Sequence, residues 1–127
     1  MEAALRALLQ STAAVTSLVP PSSINWGRSP QGVGFPAIVL NVVSDIEGLT
    51  YSGPDGLSQG RVQVDCYAST YAGSKGVSEA VRGLLNGHRD ERFRGIFLIA
   101  LRDYDETDVA DRPFRVSMDY ATHWRRA

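Results

Sequence analysis

The stretch Gly56-Leu57-Ser58-Gln59-Gly60 matches the Gly-x-Ser-x-Gly pattern that carries the nucleophilic serine of many hydrolases. In those enzymes a strand precedes the serine and a helix follows it, and the sharp turn between them exposes the hydroxyl group. In this chain the pattern instead follows a turn signal at residues 53–56 and leads into strand-like sequence. Ser58 is therefore expected to have a structural role.

A dense acidic run could provide oxygen ligands for a cation such as Ca²⁺. Its carboxylates belong to Asp103, Asp105, Glu106, Asp108 and Asp111. An EF-hand loop requires glycine at its sixth position and glutamate at its twelfth, but counting from Asp103 these positions hold Asp108 and Phe114. The run is therefore expected to be solvated or to face a partner rather than to bind a metal.

The other reactive side chains are isolated in the sequence. Cys66 is the single cysteine, so it cannot form an internal disulfide, and it lies on the apolar side of an alternating segment. His88 and His123 have no cysteine or histidine nearby at ligand spacing. The sequence therefore predicts no catalytic residue, no metal site and no cofactor, and hence a protein that is not an enzyme.

Composition limits the possible partners. The 127 residues fit one domain, predicted to span 1–127, and the net charge of −1 gives no uniform field for holding nucleic acid or an anionic membrane. Twelve of the thirteen basic residues are arginine. This bias suits bidentate ion pairs at interfaces, although a GC-rich genome would produce the same bias.

No segment is predicted to enter a membrane. The N-terminus lacks the basic region of a signal peptide, and no window approaches the roughly 18 consecutive apolar residues of a membrane-spanning helix. With a single cysteine, nothing in the sequence indicates an oxidising compartment, so synthesis in the cytoplasm is expected.

The elements that would position these residues follow from local periodicity. A helix is predicted over residues 2–10, a strand over 36–47, and a hairpin turn at 53–56. The second arm, residues 60–68, alternates with Val62, Val64, Cys66 and Ala68 on one face.

The second half of the chain predicts one more helix and two strands. Ser69 or Thr70 caps a helix whose apolar positions start at Val77, and Gly87 is a suitable stop. Residues 96–101 are apolar on both faces, which predicts a central or doubly covered strand, and residues 114–121 alternate again.

Together these elements predict an α+β domain with a mainly antiparallel four-stranded sheet and helices packed on one face. The short run Ile24-Asn25-Trp26 is interpreted as an extended piece within a loop. The loops are long for so small a domain, and long loops in compact domains are often functional.

Several of these segments together resemble the small tail-completion, or tail terminator, proteins of long-tailed phages and gene transfer agents. The resemblance covers nearly the whole chain and is most specific at Arg61-Val62-Gln63-Val64-Asp65-Cys66-Tyr67-Ala68, which leads directly into a helix. Weaker similarity lies at residues 24–36, 95–98 and 114–120.

The resemblance implies a structural subunit of the tail, made in the host cytoplasm, which forms a homo-oligomeric ring, expected to be a hexamer. Such a ring caps the head-proximal end of the tail tube and contacts both the tail tube protein and a head connector or stopper protein. DNA passes through the ring without specific binding. The alternative is another head-to-tail connector or minor tail component.

In such a ring we expect the hairpin tip, residues 51–58, and the acidic loop, residues 103–111, to contact neighbouring subunits or other partners. An acidic surface would also avoid gripping passing DNA, because carboxylates repel phosphates. The candidate interface residues are Tyr51, Asp55, Asp103, Asp105, Glu106, Asp108, Asp111 and Arg112.

Overall fold

A computed structural model describes residues 1–28, 34–50, 53–105 and 113–125, with the backbone alone at 49, 50, 53–55 and 105. Within these ranges, three α-helices and five strands follow one another. They are α1 (Glu2–Ser11), α2 (Ala13–Thr16), a 3₁₀ turn (Pro21–Ser23), β1 (Ile24–Trp26), β2 (Ala37–Thr50), β3 (Gly53–Ala68), α3 (Tyr71–Leu85), β4 (Phe93–Asp105) and β5 (Phe114–Arg125).

The strands form one sheet in the order β1-β2-β3-β5-β4. Every neighbouring pair is antiparallel except β1 and β2. The α+β class and the mainly antiparallel sheet are confirmed, but the predicted number of four strands is wrong. The fifth strand is β1, because Ile24, Asn25 and Trp26 pair with residues 38–40 of β2 instead of lying in a loop.

All three helices contribute to a core on one face of the sheet, as predicted. Val62, Val64 and Cys66 of β3 lie opposite Tyr120, Met118 and Val116 of β5, and all six are buried. Helix α3 covers them with Val77, Val81 and Leu85, while α1 adds Leu5 and Leu9. Burying one such aliphatic side chain contributes about 1.5–3 kcal/mol, so this face provides most of the driving force for folding.

Local capping sets the length of α3. Thr70 Oγ1 accepts a hydrogen bond from the Gly73 amide at 3.0 Å, as expected of an N-cap threonine. At the other end Gly87 has a φ of 85°, a conformation that glycine adopts without the steric cost of a Cβ atom. Both predicted helix signals are confirmed.

The hairpin formed by β2 and β3 is longer than predicted. Leu49 pairs with Pro54 and Thr50 pairs with Gly53, so residues 53–55 belong to β3 and do not form the expected turn. The residues between the strands, 51 and 52, lie outside the described part of the chain. Proline has no backbone N–H to donate and is found in sheets near strand ends, and Pro54 is the second residue of β3.

Strand β4 lies at the edge of the sheet and not at its centre, so that prediction is wrong. The middle strand is β3, with β2 and β5 on its two sides, and the side chains of Phe97 and Ile99 in β4 are exposed. Strand β4 is therefore apolar on both faces although only one of the two faces is buried. Within the described ranges, no helix has the length and apolar character needed to cross a bilayer.

Candidate interaction surface

The helices leave the opposite face of the sheet uncovered, and several large apolar side chains lie exposed on it. Strand register places Phe97 of β4 opposite Ala121, on the side away from the buried Tyr120 and Thr122. Ile46 and Leu57 lie on the same face near the β2–β3 hairpin. Ile46 is 66% exposed and Phe97 47% exposed. These side chains lie on several strands of one uncovered face, which makes that face the candidate interaction surface.

The middle of this helix-free face carries two nearly inaccessible carboxylates, Asp65 and Asp119. Asp119 is only 4% exposed, although no helix covers it. Arg61 donates to Asp119 Oδ2 at 2.9 Å, and Arg102 reaches the same oxygen at 3.4 Å. The guanidinium groups of β3 and β4 therefore shield the carboxylate of β5 and join the three strands.

Asp65, on the neighbouring strand β3, is also contacted by polar and charged side chains. Gln63 Nε2 donates to Asp65 Oδ2 at 3.0 Å, and Arg115 Nε lies 3.9 Å from Asp65 Oδ1. The Arg115 guanidinium also stacks 4.3 Å from the ring centroid of Tyr104. Charged and aromatic groups thus form a continuous network across β3, β5 and β4.

This network is incompletely satisfied within one chain. Among the described residues, Asp119 Oδ1 and Ser117 Oγ are buried without a hydrogen-bond partner. A buried polar atom without a partner costs about 1–3 kcal/mol, so such atoms call for a specific explanation. A partner molecule placed on this face could provide the missing contacts.

Asp103, one of the sequence-predicted interface residues, lies on the helix side at the far end of β4. Lys75 Nζ donates to Asp103 Oδ1 at 2.7 Å, and the Tyr71 hydroxyl donates to Oδ2 at 3.0 Å. The hydrogen bond from Lys75 is the main cause that lowers the pKa of Asp103 below its ordinary value, and the same contact raises the pKa of Lys75. Asp103 therefore ties α3 to β4 within the chain.

This contact predicts a pH-dependent contribution to stability. Because the folded-state pKa of Asp103 is lowered, the contribution is present above the unfolded pKa and is lost as the pH falls through the folded value. Asp103→Asn should therefore destabilise the protein at pH 7 more than at pH 2.5. Urea denaturation of both proteins at the two pH values measures the difference. Equal effects of the substitution at both values would contradict this role.

The other predicted interface residues are only partly described. Asp55 lies within β3 and Asp105 ends β4, both as backbone alone, while Tyr51, Glu106, Asp108, Asp111 and Arg112 lie outside the described residues. The interface role of the whole set therefore stays a prediction. The Asp65 and Asp119 network was not predicted, although both residues stand on the polar side of an alternating strand.

The residues considered for chemistry lie in structural positions. Ser58 is buried within β3, where no strand-to-helix turn exposes it. Burial raises the pKa of the Cys66 thiol, with a further contribution from Asp65, and this suppresses the reactive thiolate. His88 contacts Asp90 at 2.9 Å. In the described ranges no three His, Cys, Asp or Glu side chains are grouped to hold a metal ion.

Arginines gather at the end of the sheet where β4 begins and β5 ends. A surface depression of about 490 Å³ there is lined by Arg89, Asp90, Glu91, Arg92, Arg94 and Arg125. A neighbouring depression of about 310 Å³ is also lined by Arg89 and Arg94, together with Ser58 and His123 among others. This cluster was not predicted from the sequence, in which three of its arginines form the pattern Arg-x-x-Arg-x-Arg over residues 89–94.

Comparison with known proteins identifies relatives of this architecture. The family model described as "Tail completion protein gp17" matches residues 3–124. A solved structure titled "Virion of native gene transfer agent (GTA) particle" contains a chain that aligns with a TM-score of 0.78 at 13% sequence identity, covering 98% of this chain and 93% of that one. No curated protein sequence matches significantly.

Proposed function

The chain belongs to the tail completion protein gp17 family, a group of tail structural components, and from that premise we propose that it is the ring-forming terminator of a phage-type tail. The subunits form a homo-oligomeric ring, expected to be a hexamer, on the head-proximal end of the tail tube. The ring stops tube growth and offers a docking surface to the head connector or stopper protein.

The helix-free sheet face carries this proposal. Exposed apolar side chains beside buried, partly unsatisfied ionic groups fit a subunit that completes its contacts through other proteins. A closed ring requires a heterologous interface, in which one patch on each subunit meets a different patch on the next. The helix-free face and the ends of its long strands provide such distinct patches.

The proposed role requires no catalysis. The side chains with nucleophilic potential, Ser58 and Cys66, are both buried in β3, and the pKa of the Cys66 thiol is raised. Specific DNA binding is also unnecessary, because a terminator needs only to let DNA pass. The near-neutral net charge of −1 suits that passage.

Removing the protein from a producing cell tests the proposal. Without a terminator we expect tail tubes of uncontrolled length and filled heads without tails, both counted by negative-stain electron microscopy. Gold labelling of a tagged chain should fall at the head–tail junction of complete particles. Tubes of normal length joined to heads in the deletion strain would contradict the role, and label along the tube or at its distal tip would favour a minor tail component.

A further inference from the structure

The two depressions at the end of the sheet where β4 begins and β5 ends share one pair of arginines. The larger, of about 490 Å³, is lined by four arginines and two acidic residues. The smaller, of about 310 Å³, has Leu57 and His123 in its lining. Because Arg89 and Arg94 line both depressions, together these form a single groove, the arginine groove, with a strongly basic end and a mixed end.

The basic end of the arginine groove is held in place by contacts within the chain. Arg92 Nε donates to the Arg125 carbonyl oxygen at 2.9 Å, and the Arg125 amide donates to the Arg92 carbonyl oxygen at 2.8 Å. Asp90 Oδ1 accepts from the amides of Arg92 and Phe93 at 2.8 and 2.7 Å. These contacts fix the loop that presents Arg89 and engage Asp90 inside the chain.

Arg89 and Arg94 carry charge that the described part of the chain does not neutralise. Both are exposed, and neither has an ion-pair partner among the described residues. Four arginines against two acidic residues, Asp90 and Glu91, give the larger depression a net positive charge. Arginine presents several donors in a planar fork that matches a carboxylate or a phosphate bidentately. The arginine groove therefore favours an anionic ligand.

An apolar surface adjoins the mixed end of the arginine groove. Leu57 is exposed there, and the exposed ring of Phe97 lies with its centroid 6.2 Å from that of His123. Gly95 allows this position, because a Cβ atom at residue 95 would lie 2.7 Å from the Phe97 ring, closer than nonbonded carbon atoms pack. The ring thus lies over the backbone next to Arg94. Basic and apolar groups therefore adjoin on one surface.

This combination favours a polypeptide over nucleic acid as the anionic ligand. The DNA backbone presents phosphates and sugars, which contact arginine but offer no large apolar group to Phe97 or Leu57. A polypeptide can place carboxylates on Arg89 and Arg94 and an apolar side chain on Phe97 at the same time. Interfaces between proteins are enriched in arginine and aromatic residues, and their charged groups lie at the rim of an apolar centre.

We propose that the arginine groove binds a segment of another protein in which acidic residues accompany a large apolar residue. Arg89 and Arg94 pair with the carboxylates of the segment, while Leu57 and Phe97 contact its apolar side chain. The inference rests on the proposed function for the place of that protein, which docks on the terminator ring. It adds the chemistry by which the ring recognises a partner.

Two short fluorescein-labelled peptides of equal charge test the proposal on the purified full-length protein. One peptide alternates Glu with Leu and the other alternates Glu with Ser, and fluorescence anisotropy at low salt measures their affinities. Arg89→Gln with Arg94→Gln should weaken binding of the Glu-Leu peptide by about tenfold or more, because two charge-assisted contacts are lost. Phe97→Ala should weaken the Glu-Leu peptide by about threefold or more and leave the Glu-Ser peptide unchanged.

The matched control is Arg28→Gln with Arg82→Gln, which removes the same charge from exposed positions that line neither depression. It should leave both affinities within about twofold of the parent, since long-range charge effects are small and screened. Thermal unfolding checks that each variant folds. Equal binding of the Glu-Leu peptide by the parent and the Arg89→Gln, Arg94→Gln variant would overturn the proposal.

Two further results would assign the arginine groove to a different occupant and so overturn the proposal. The first is displacement of the Glu-Leu peptide by a short DNA duplex at an equal concentration of negative charge. The second is self-association of the parent protein in analytical ultracentrifugation that Arg89→Gln with Arg94→Gln removes, which would make a second copy the occupant. Each of these failures leaves the terminator function standing, because tube length and head joining in the deletion strain test that function separately.

Discussion

Phe93→Ala is expected to lower the free energy of unfolding by about 3–5 kcal/mol, whereas Phe97→Ala in the same strand lowers it by less than about 1 kcal/mol. Phe93 is 1% exposed and packs edge-on against Trp124, with ring centroids 4.7 Å apart. Its removal leaves a cavity in the core. Phe97 lies on the helix-free face, where water fills the space that its ring vacates.

Chemical denaturation of the two variants and the parent measures this difference. The comparison is matched because both substitutions remove the same side chain from β4 and alter the same β propensity. Equal destabilisation by the two changes would contradict the assignment of the core to the helix-covered face. In producing cells, Phe97→Ala should still reduce tailed particles if the helix-free face makes contacts in the ring.

Asp119→Ala is expected to destabilise the free protein by about 2–3 kcal/mol. Removal of one partner from a buried ion pair costs about 3–5 kcal/mol, because the remaining charge loses its compensation. Arg61 and Arg102 each keep 44% side-chain exposure, so water compensates them in part and the expected effect is smaller. Loss of the Asp119 carboxylate also removes the contacts that connect β5 to β3 and β4.

The control for Asp119→Ala is Glu79→Ala, which removes one carboxylate from the exposed side of α3 and should change stability by less than about 0.5 kcal/mol. A double-mutant cycle with Arg61→Ala isolates the ion pair and should give a coupling of about 1 kcal/mol or more. Coupling near zero would mean that the close contact at 2.9 Å contributes nothing to folding.

The two faces of the sheet thus have different roles. The helix-covered face is apolar and stabilises the fold, while the helix-free face combines exposed apolar side chains with an ionic network. Charged groups at interfaces contribute more to specificity and register than to raw affinity. In the proposed ring, the apolar face would hold each subunit together and the helix-free face would select the geometry of its neighbour.

Local structure followed closely from the sequence. The helical spacing of Val77, Val81 and Leu85 predicted α3, the threonine and glycine signals predicted its ends, and the alternation in residues 60–68 predicted the buried face of β3. These elements depend on side chains a few residues apart, and such spacing is visible along the chain. The family came instead from a resemblance that is most specific at residues 61–68, and the family model that matches residues 3–124 confirms it.

The order of the strands was decided only by the tertiary structure. Residues 96–101 look like a central strand because they are apolar on both sides, yet β4 lies at the edge with one apolar side exposed. The pairing of β1 with β2 was also missed, because a run of three residues is too short to show a strand pattern. Periodicity reports which side chains avoid water within one element, but it does not report whether another element or another subunit covers them.

The candidate interaction surfaces depended even more on tertiary structure. Arg61 and Asp119 are 58 positions apart, and they meet only because β3 and β5 are neighbours in the sheet. Arg94 and Arg125 likewise reach one depression because antiparallel pairing brings the start of β4 to the end of β5. The sequence determined the elements and their apolar faces through local spacing, whereas the contacts between distant charges required the chain to fold, because long-range pairing alone sets their distances.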